Sequence, residues 1–370
     1  MRKSGLPPTA GDEQGPARRA TIQDVAAAAG VSISAVSKVV RDAYGVSPQM
    51  RERVTAAIEQ LGYRPNAGAR AMRGRSYTIG VVLVELTSPF QPEVAQGVSD
   101  ELEAGPFQEI IVTAGSAAKH AKTRIQALLD RQVDGLVVVA PWIEVDWIED
   151  LAQRLPVVTV ALHGPARHFD TVVDDEHLGA GLMVDHLVGL GHRRIAHTSM
   201  PAGVTRRPFA LSHTARADGY RQAMRRHGLE PEIITTQYSE DGGYEAAAKL
   251  LAQPEPPTAI FAGADIAALG VMRAAEERGL RIPDDLTVAG YDNIHISTIN
   301  RVSLTTVDQS GHLTGSVSAR LLLERIAGRT QPVRYVVSPS LVARATSGPP
   351  PSATVPASRH STAQTKSIVV

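Results

Sequence analysis

The sequence contains no cysteine, which excludes a disulfide framework, a thiol nucleophile and a metal site with cysteine ligands. No apolar run approaches the ~18 residues that a membrane span requires. The first residues, MRKSGLPPTAGDEQGP, also lack the apolar core of a signal peptide. We therefore expect neither export nor membrane insertion, and a cytoplasmic location is the default.

Motifs typical of nucleotide-binding and metal-dependent enzymes are also missing. No G-x-G-x-x-G opens a helix, and neither G-x-x-x-x-G-K-[ST] nor HExxH occurs. Among the 12 histidines, His186, His192 and His197 come nearest to a ligand set, but their spacing is irregular and no cysteine lies beside them. We expect no metal site, no cofactor and no catalytic residue, so an enzyme is the least supported alternative.

The charge of the chain is unevenly distributed. The 370 residues have a formal net charge of zero, yet residues 1–77 contain 12 Lys and Arg against 6 Asp and Glu, and residues 78–370 contain 26 against 32. A small basic segment before a larger acidic one indicates that the first meets a polyanion. Chance clustering on a solvated surface is the alternative. The length predicts two or three domains.

The basic segment has the pattern of three short helices. A capping box at 21–24 begins the first helix, and Gly30 is the residue type that ends it. Ser32 can cap a second helix after a tight turn, and a third begins at Ser47 and ends at Gly62. The third helix is expected to bury Val54, Ala57, Ile58 and Leu61.

The second helix is a candidate for the major groove of DNA. Its apolar face carries Val36, Val39 and Val40, which leaves short polar groups, one cation and one isoleucine on the outer faces. Such groups can donate to base edges and phosphates, and an isoleucine can contact a thymine methyl. A generic three-helix bundle without a ligand is the alternative. The candidate DNA contacts of this segment are Thr21, Ser32, Ile33, Ser34, Ser37, Lys38 and Arg41.

From Thr78 onward, short β-branched runs alternate with helical stretches. Apolar runs without polar alternation at this spacing predict parallel strands covered by helices on both faces. Because so many βα units exceed one sheet of usual size, we predict an all-α helix-turn-helix head and an α/β core of two doubly wound parallel-sheet subdomains. The runs are TIGVVLV, EIIVTA, GLVVVA, PVVTVAL, RIAHTS, EIITTQY, TAIFAG and LTVAGY.

Several motifs carry a family resemblance. The head contains I-x-D-V-A-x-x-A-G-V-S, V-S-K-V and GYRPN, and later segments contain LTSPF, GH-RR-I, R-x-x-G-Y, D-x-x-A-L-G and GYDN. To about Thr346 the chain resembles the lactose-repressor/galactose-repressor (LacI/GalR) family of bacterial regulators. The resemblance implies a helix-turn-helix head, a hinge helix and a periplasmic-binding-protein-like core.

Domain boundaries are expected as follows. A disordered lead covers 1–19, the DNA-binding domain 20–63, the hinge or linker 64–76, the effector-binding and dimerisation core 77–346, and a disordered tail 347–370. Within the core, the first subdomain is expected at about 77–172 and 303–331, and the second at about 173–302 and 332–346.

The expected hinge contains a short helix candidate from Arg64 to Arg73, with Asn66 near its cap. A segment this short is marginal in water. In the family, the hinge helix orders on operator DNA and an apolar side chain wedges into the minor groove, a position that Met72 matches. An ordinary flexible linker is the alternative. The hinge residues expected at DNA are Asn66, Arg70 and Met72.

The resemblance also implies a small effector between the subdomains, in the crevice at the carboxyl ends of their strands. Arg216 matches the arginine that grips effector oxygens and Asp292 matches an effector-binding aspartate, with a structural ion pair or cap as the alternative for both. Phe90 and Tyr238 fall where aromatic lining residues occur, or else pack in the core. Asp265 is expected to contact the effector or to cap the helix that follows.

Two positions depart from the family pattern and weaken any assignment of a particular sugar. Ala264 stands where many relatives have an asparagine, and 162–164 stands where an acidic residue is common. Trp142 and Trp147 follow the strand GLVVVA, and either can stack on a sugar. The helical spacing of Trp147 with Leu151 favours core packing for that residue.

These observations predict an operator-binding transcription regulator of the repressor type. The expected partners are double-stranded operator DNA with a pseudo-palindromic site, a small-molecule effector such as a sugar or other small metabolite, and a second copy of the chain, with no membrane. A solute-binding protein of an uptake system, which would share the same core, is the alternative.

Overall fold

The structure is a computed structural model that describes residues 20–40, 44–63, 75–203 and 208–351. The chain divides into two compact units, Met1–Ser76 and Tyr77–Val370. None of the helices in the described ranges combines the length and the apolar composition needed to cross a bilayer.

Within its described residues, the first unit contains three helices, α1 (Ile22–Ala29), α2 (Ile33–Val40) and α3 (Pro48–Leu61). At the start of α1 the predicted capping box is present. The Thr21 hydroxyl accepts from the Asp24 N–H, and the Asp24 carboxylate accepts from the Thr21 N–H at 2.7 Å. Gly30 ends α1 with φ 63°, in the left-handed region that glycine adopts without strain.

The core of the first unit is small. Val25, Val36 and Val54, one from each helix, are fully buried against one another, and a buried valine contributes about 1.5–3 kcal/mol to the free energy of unfolding. The expectation that Leu61 is buried is wrong, since this side chain is 37% exposed. Leu61 is the last residue of α3, and the chain turns away at Gly62, so no neighbouring helix covers it.

The second unit contains fourteen strands and eight α-helices within its described residues. The strands are β1 (Thr78–Leu83), β2 (Gln108–Thr113), β3 (Gly135–Val139), β4 (Val157–Val160), β5 (Leu162–His163), β6 (Asp170–Asp174), β7 (Ile195–Ser199), β8 (Ala210–Leu211), β9 (Glu232–Thr235), β10 (Ala259–Phe261), β11 (Thr287–Ala289), β12 (Thr306–Asp308), β13 (Arg334–Val337) and β14 (Ser340–Val342). The helices are α4 (Phe90–Leu102), α5 (Ala118–Leu129), α6 (Val145–Ala152), α7 (Glu176–Gly189), α8 (Ser212–Arg226), α9 (Glu240–Leu250), α10 (Asp265–Glu276) and α11 (Gly311–Ile326), with a 3-10 turn at His295–Thr298.

Two parallel sheets organise the second unit. The first has six strands in the order β13-β6-β4-β3-β1-β2, and the second has four in the order β11-β10-β7-β9. Antiparallel pairs β5–β8 and β12–β14 lie outside these sheets. Every predicted apolar run contains a strand of one of the two parallel sheets, so the predicted core of two doubly wound subdomains is confirmed.

Each parallel sheet is covered on both faces. On β1, Ile79 and Leu83 belong to one buried cluster with α4 and α11, while Val82 belongs to another with α5 and α6. The second sheet packs likewise, with α7 and α8 on one face and α9 and α10 on the other. Burial on both faces explains why these strands are apolar throughout instead of alternating.

The expected subdomain boundaries need correction. Strand β13 pairs in parallel with β6 in the first sheet, although 332–346 was expected in the second subdomain. Strand β12 pairs with β14 and Val307 packs in the cluster of α7 and α8, although 303–331 was expected in the first. The chain therefore crosses between subdomains after β6, after β12 and after β13.

Helices α4 and α11 approach closely because each has a glycine at the contact. A Cβ atom at Gly315 would overlap the carbonyl oxygen of Val94, and one at Gly97 would overlap that of His312. Both contacts are with backbone, which has little room to move. The first subdomain therefore depends on glycine at these two positions.

We expect Gly315→Ala to lower the free energy of unfolding by about 2 kcal/mol, because an added methyl group overpacks a backbone contact. Gly189→Ala is the matched control, since Gly189 is also helical and a Cβ there meets open space. That control should raise stability or leave it within about 1 kcal/mol. Urea denaturation of both variants checks the difference, and equal small changes would contradict the packing described.

Candidate functional site

The exposed face of α2 is the first candidate surface. The Ser32 hydroxyl accepts from the Ala35 N–H at 3.1 Å and caps the helix. Ile33 is 41% exposed, and Ser34 and Lys38 are also exposed. A solvent-facing isoleucine next to a hydroxyl and an ammonium group presents both apolar contact and donors on one short helix, which suits the edges of base pairs.

Two of the predicted DNA-contacting residues of this segment are placed differently from expectation. Ser37 was expected on the outer face, but it is only 7% exposed, because it adjoins Val36 on the helix and its small side chain is covered with that face. The Thr21 hydroxyl is already bonded to the Asp24 side chain and N–H in the capping box. The remaining predicted DNA contacts, Arg41, Asn66, Arg70 and Met72, lie outside the described residues.

The second candidate site is a cleft between the two subdomains of the second unit, with a cavity volume of about 110 Å³. Its walls come from segments that follow strands at their carboxyl ends, where ligands bind in open α/β sheets. The first subdomain contributes Val84, Glu85, Ser88, Phe90, Gln91, Val139, Ala140, Trp142 and Ala161. The second contributes Met200, Leu211, Ser212, His213, Arg216, Tyr238, Ala264, Asp292 and Gln309.

An aromatic contact joins the two walls of the cleft. The Trp142 ring of the first subdomain stacks on the His213 ring of the second, with centroids 5.7 Å apart and planes 12° apart. Burial lowers the pKa of His213 to about 4, and its Nε2 lies 3.0 Å from the Pro201 carbonyl oxygen. The imidazole is therefore neutral and donates to Pro201 at neutral pH. Trp147, as expected, packs against a hydrophobic core; Trp142 contacts the same core, but only Trp142 also lines the cleft.

Arg216 lines the cleft, but its guanidinium group is bonded to residues behind the cleft wall. Its side chain is 3% exposed and forms a bidentate ion pair with Glu176, at 2.7 Å and 3.1 Å. It also donates to the Gly263 carbonyl oxygen and lies 3.5 Å from the centre of the Tyr291 ring. Burial disfavours the charged Glu176, but the neighbouring guanidinium outweighs burial and lowers its pKa. The pair is ionised.

A second carboxylate lies against this pair. Asp174 accepts from the Tyr291 hydroxyl at 2.6 Å, and burial together with the charge of Glu176 raises its pKa well above the ordinary value. Possible ligand atoms of His163, Asp174 and Glu176 lie within 4.8 Å of one another. Because Glu176 pairs with Arg216, Asp174 accepts from Tyr291 and His163 lies 3.3 Å from the Ser212 hydroxyl, these side chains have protein partners already and do not fit a divalent cation as well.

Asp292 lines the cleft in a strained conformation. It has φ 119°, and Ala140 and Ala161 on the opposite wall have φ 45° and 61°, in the region that non-glycine residues rarely adopt. Gln309 donates to the Asp292 carboxylate, and burial raises the pKa of that carboxyl well above its usual value. Strained residues that gather at one cleft are typical of a functional site.

Asp265 does not line the cleft, so the structure does not bring it to the candidate ligand site. It is fully buried, and its carboxylate accepts from the Ile294 N–H and from the hydroxyls of Ser297 and Thr306. Burial raises its pKa to about 7. The residue ties the start of α10 to the 3-10 turn and to β12, and in that way supports the segment that carries Asp292.

Phe90 and Tyr238 both line the cleft. The Tyr238 hydroxyl passes over Gly263, where a Cβ atom would overlap it, and it is buried with no hydrogen-bond partner among the described residues. Such a hydroxyl favours a ligand that can bond to it. Ala264 also lines the cleft and is buried. This wall therefore offers a methyl group at the position where the family pattern has the polar side chain of asparagine.

The sequence did not single out several residues of the region, including Gln309 and His213 in the cleft lining and Glu176 behind it. Glu176 and Gln309 follow β6 and β12, which are short strands without a long apolar run, so nothing marked the positions after them. His213 had a usable signal, because it precedes Arg216 by three residues and α8 therefore presents both on one face.

Comparisons with known proteins agree with the fold. The model of bacterial regulatory proteins of the lacI family matches residues 21–66, and that of the periplasmic binding protein-like domain matches residues 184–347. Catabolite control protein A of Priestia megaterium is 35% identical over 307 residues, which are 82% of this chain and 91% of that protein.

Solved structures extend the similarity to nearly the whole chain. A Lac repressor dimer bound to operator and the anti-inducer ONPF has a TM-score of 0.76 and 28% identity, and the match covers 90% of this chain and all of that one. A complex of the transcriptional regulator CelR with cellobiose has a TM-score of 0.66 and 30% identity, covering 89% and 100%. The predicted fold class is thus confirmed.

The Tyr238 hydroxyl predicts an unusual response to mutation. We expect Tyr238→Phe to leave the free energy of unfolding unchanged or to raise it, because it removes a buried hydroxyl that has no partner. Tyr220→Phe is the matched control, since the Tyr220 hydroxyl donates to the Ile195 carbonyl oxygen at 2.6 Å and accepts from the Glu232 N–H. That control should lose about 1–3 kcal/mol. Equal losses in urea denaturation would mean that Tyr238 has a partner.

Proposed function

The chain belongs to the lacI family of bacterial regulatory proteins, and from this membership we propose that it represses transcription at a pseudo-palindromic operator and responds to a small ligand in the cleft. The observation that carries the proposal is the presence of both parts in one chain. The exposed face of α2 supplies groove-reading chemistry, and the second unit supplies a cleft lined by strained and unpartnered polar groups.

For DNA binding, α2 is proposed to lie in the major groove. Ile33 contacts base edges or a thymine methyl, Ser34 bonds to a base edge or a phosphate, and Lys38 contacts a phosphate or a guanine. Arg41 continues this surface, and Asn66, Arg70 and Met72 are proposed to act as hinge contacts in the minor groove. Ser32 and Thr21 act chiefly as caps that fix the ends of α2 and α1.

Two heads are needed for two half-sites, so we propose that the chain acts as a homodimer. Strand β2 is at the edge of the six-stranded sheet, and Leu86 and Ile111 beside it are 60% and 44% exposed and line one groove with Pro92 and Ala95. An apolar groove along a sheet edge is a favourable contact for a second copy. The Lac repressor to which the chain is similar was solved as a dimer on its operator.

The cleft is proposed to control DNA affinity by linkage. Its 110 Å³ is below the ~300–1,000 Å³ of typical ligand pockets, so a sugar-sized ligand requires the subdomains or the Trp142–His213 stack to move. A ligand changes operator affinity only by its differential affinity for the two arrangements, commonly about 1–3 kcal/mol. CelR, one of the similar proteins, was solved with cellobiose, which supports a sugar as the first class of ligand to test.

We further propose that the chain is not an enzyme and that it acts in the cytoplasm, where bacterial operators are found. The similar proteins are regulators, and the titratable residues of the cleft are paired or neutral instead of arranged as a nucleophile and a base.

The experiment that tests the proposed function is selection of genomic fragments by the purified full chain, followed by footprinting. The expected result is a small set of fragments that share a two-fold symmetric site, bound more weakly as salt concentration rises. Selection of no duplex fragment at low ionic strength, with or without small metabolites, would contradict the proposal.

Lys38 gives a direct test of the groove assignment. We expect Lys38→Ala to weaken binding to the selected operator by about 1–3 kcal/mol or to reduce the salt slope by about one. Lys249→Ala, at an exposed lysine of α9, removes the same charge far along the chain and should leave both quantities unchanged. Fluorescence anisotropy with labelled operator measures them, and equal behaviour of the two variants would refute the assignment.

Asp292 gives the corresponding test of the cleft. We expect Asp292→Asn to lose most of the ligand-induced change in operator affinity and to keep the affinity without ligand. Asparagine tolerates positive φ, so the strained turn is retained, but the carboxylate acceptor is lost. The measurement is an anisotropy titration with whichever sugar shifts the wild type. A full response in the variant would remove Asp292 from the site.

A further inference from the structure

The charge state of the cleft is decided by a residue behind it. Glu176, 1% exposed, begins α7 and forms the bidentate pair with Arg216. Including the bond to the Gly263 carbonyl, three of the five N–H groups of Arg216 are occupied. Binding an anion through a guanidinium fork requires an unpaired charge and adjacent free donors. Glu176 neutralises the charge and occupies the Nε–Nη2 edge of the fork.

The other lining residues reinforce this effect. Glu85 and Asp292 place two more carboxyl groups at the cleft, and Arg216 is the sole Lys or Arg among the described residues that line it. His213 is neutral near pH 7 because burial lowers its pKa to about 4. The remaining polar groups, on Ser88, Ser212, Gln309 and Tyr238 among others, are uncharged. Among the described residues that line the cleft no cation is left unpaired, so the site does not attract anions and offers hydrogen bonds to neutral groups.

We propose that Glu176 is a specificity-determining residue, which by pairing with Arg216 closes the cleft to phosphorylated and carboxylate ligands and leaves it selective for uncharged, hydroxyl-bearing ones. This inference rests on the proposed function only in taking the cleft as the ligand site. Glu176 acts through Arg216, since it does not itself line the cleft.

The test is isothermal calorimetry of the full chain with inorganic phosphate as the probe. Wild type is expected to show no saturable binding that depends on Arg216. Glu176→Gln, which keeps the shape and removes the charge, is expected to show saturable phosphate binding at least about tenfold tighter than the weakest binding that the wild-type titration would detect, and this binding should vanish in the double variant Glu176→Gln, Arg216→Gln. Glu85→Gln is the matched control, because it removes one carboxylate from the cleft without releasing Arg216.

Three results would overturn the proposal: no gain in Glu176→Gln, a gain that persists without Arg216, or an equal gain in Glu85→Gln. If Glu176→Gln does not fold, Glu176→Asn replaces it, since this shorter amide also removes the charge that neutralises Arg216. In that variant, a smaller gain in phosphate affinity supports the proposal, and the absence of any gain contradicts it.

Calorimetry with phosphate involves no DNA. A gain in Glu176→Gln alongside an operator affinity that no ligand changes would therefore refute the proposed effector response and leave this inference standing. Conversely, a ligand that changes operator affinity in the wild type, together with no gain of phosphate binding in Glu176→Gln, would refute this inference and leave the proposed effector response standing.

Discussion

The bidentate ion pair between Arg216 and Glu176 is the interaction on which the cleft depends. It joins the starts of two helices, α7 and α8, to the segment after β10 through the Gly263 carbonyl, and it lies against the Tyr291 ring. Breaking such a pair by removing one partner costs about 3–5 kcal/mol, because the other charge is left buried. The position of the cleft wall is therefore fixed by electrostatics as much as by apolar packing.

In the second subdomain, the residues that hold the cleft wall in place are different from the residues that a ligand would contact. Asp265 and Glu176 are buried and bonded behind the wall, whereas Asp292, Tyr238 and His213 reach its surface. A ligand meets groups whose positions are set by hydrogen bonds that it does not touch, which reduces the conformational entropy lost on binding. The Trp142–His213 stack is a direct contact across the cleft between the two subdomains.

Much of the architecture was predictable from sequence because its signals are local. The caps at Thr21 and Gly30, the apolar stripe of α1 and the eight apolar runs each follow from residue type and spacing, and the structure contains them. What failed depends on tertiary context. Strand β13 is exposed along most of its length and β12 has three residues, so neither has the apolar run that marks a buried strand, and the subdomain boundaries were misplaced with them.

The candidate site was likewise predictable only in part from the sequence. Arg216, Asp292, Phe90 and Tyr238 were placed at the cleft by family resemblance, and they line it, but residue type did not reveal that Arg216 is neutralised or that Asp265 is consumed by three internal bonds. The partner of a buried charged group depends on which side chain the fold brings to it from a distant segment. Glu176 lies 40 residues from Arg216 along the chain.

The most direct test of the account is whether operator DNA changes the affinity of the cleft for its ligand. With an operator fragment and a sugar that binds the free chain, ligand affinity is measured by calorimetry on the free chain and on the operator complex. The account predicts that the two affinities differ by about 5- to 150-fold, which corresponds to a coupling of about 1–3 kcal/mol. Identical ligand affinity in the two states would contradict it.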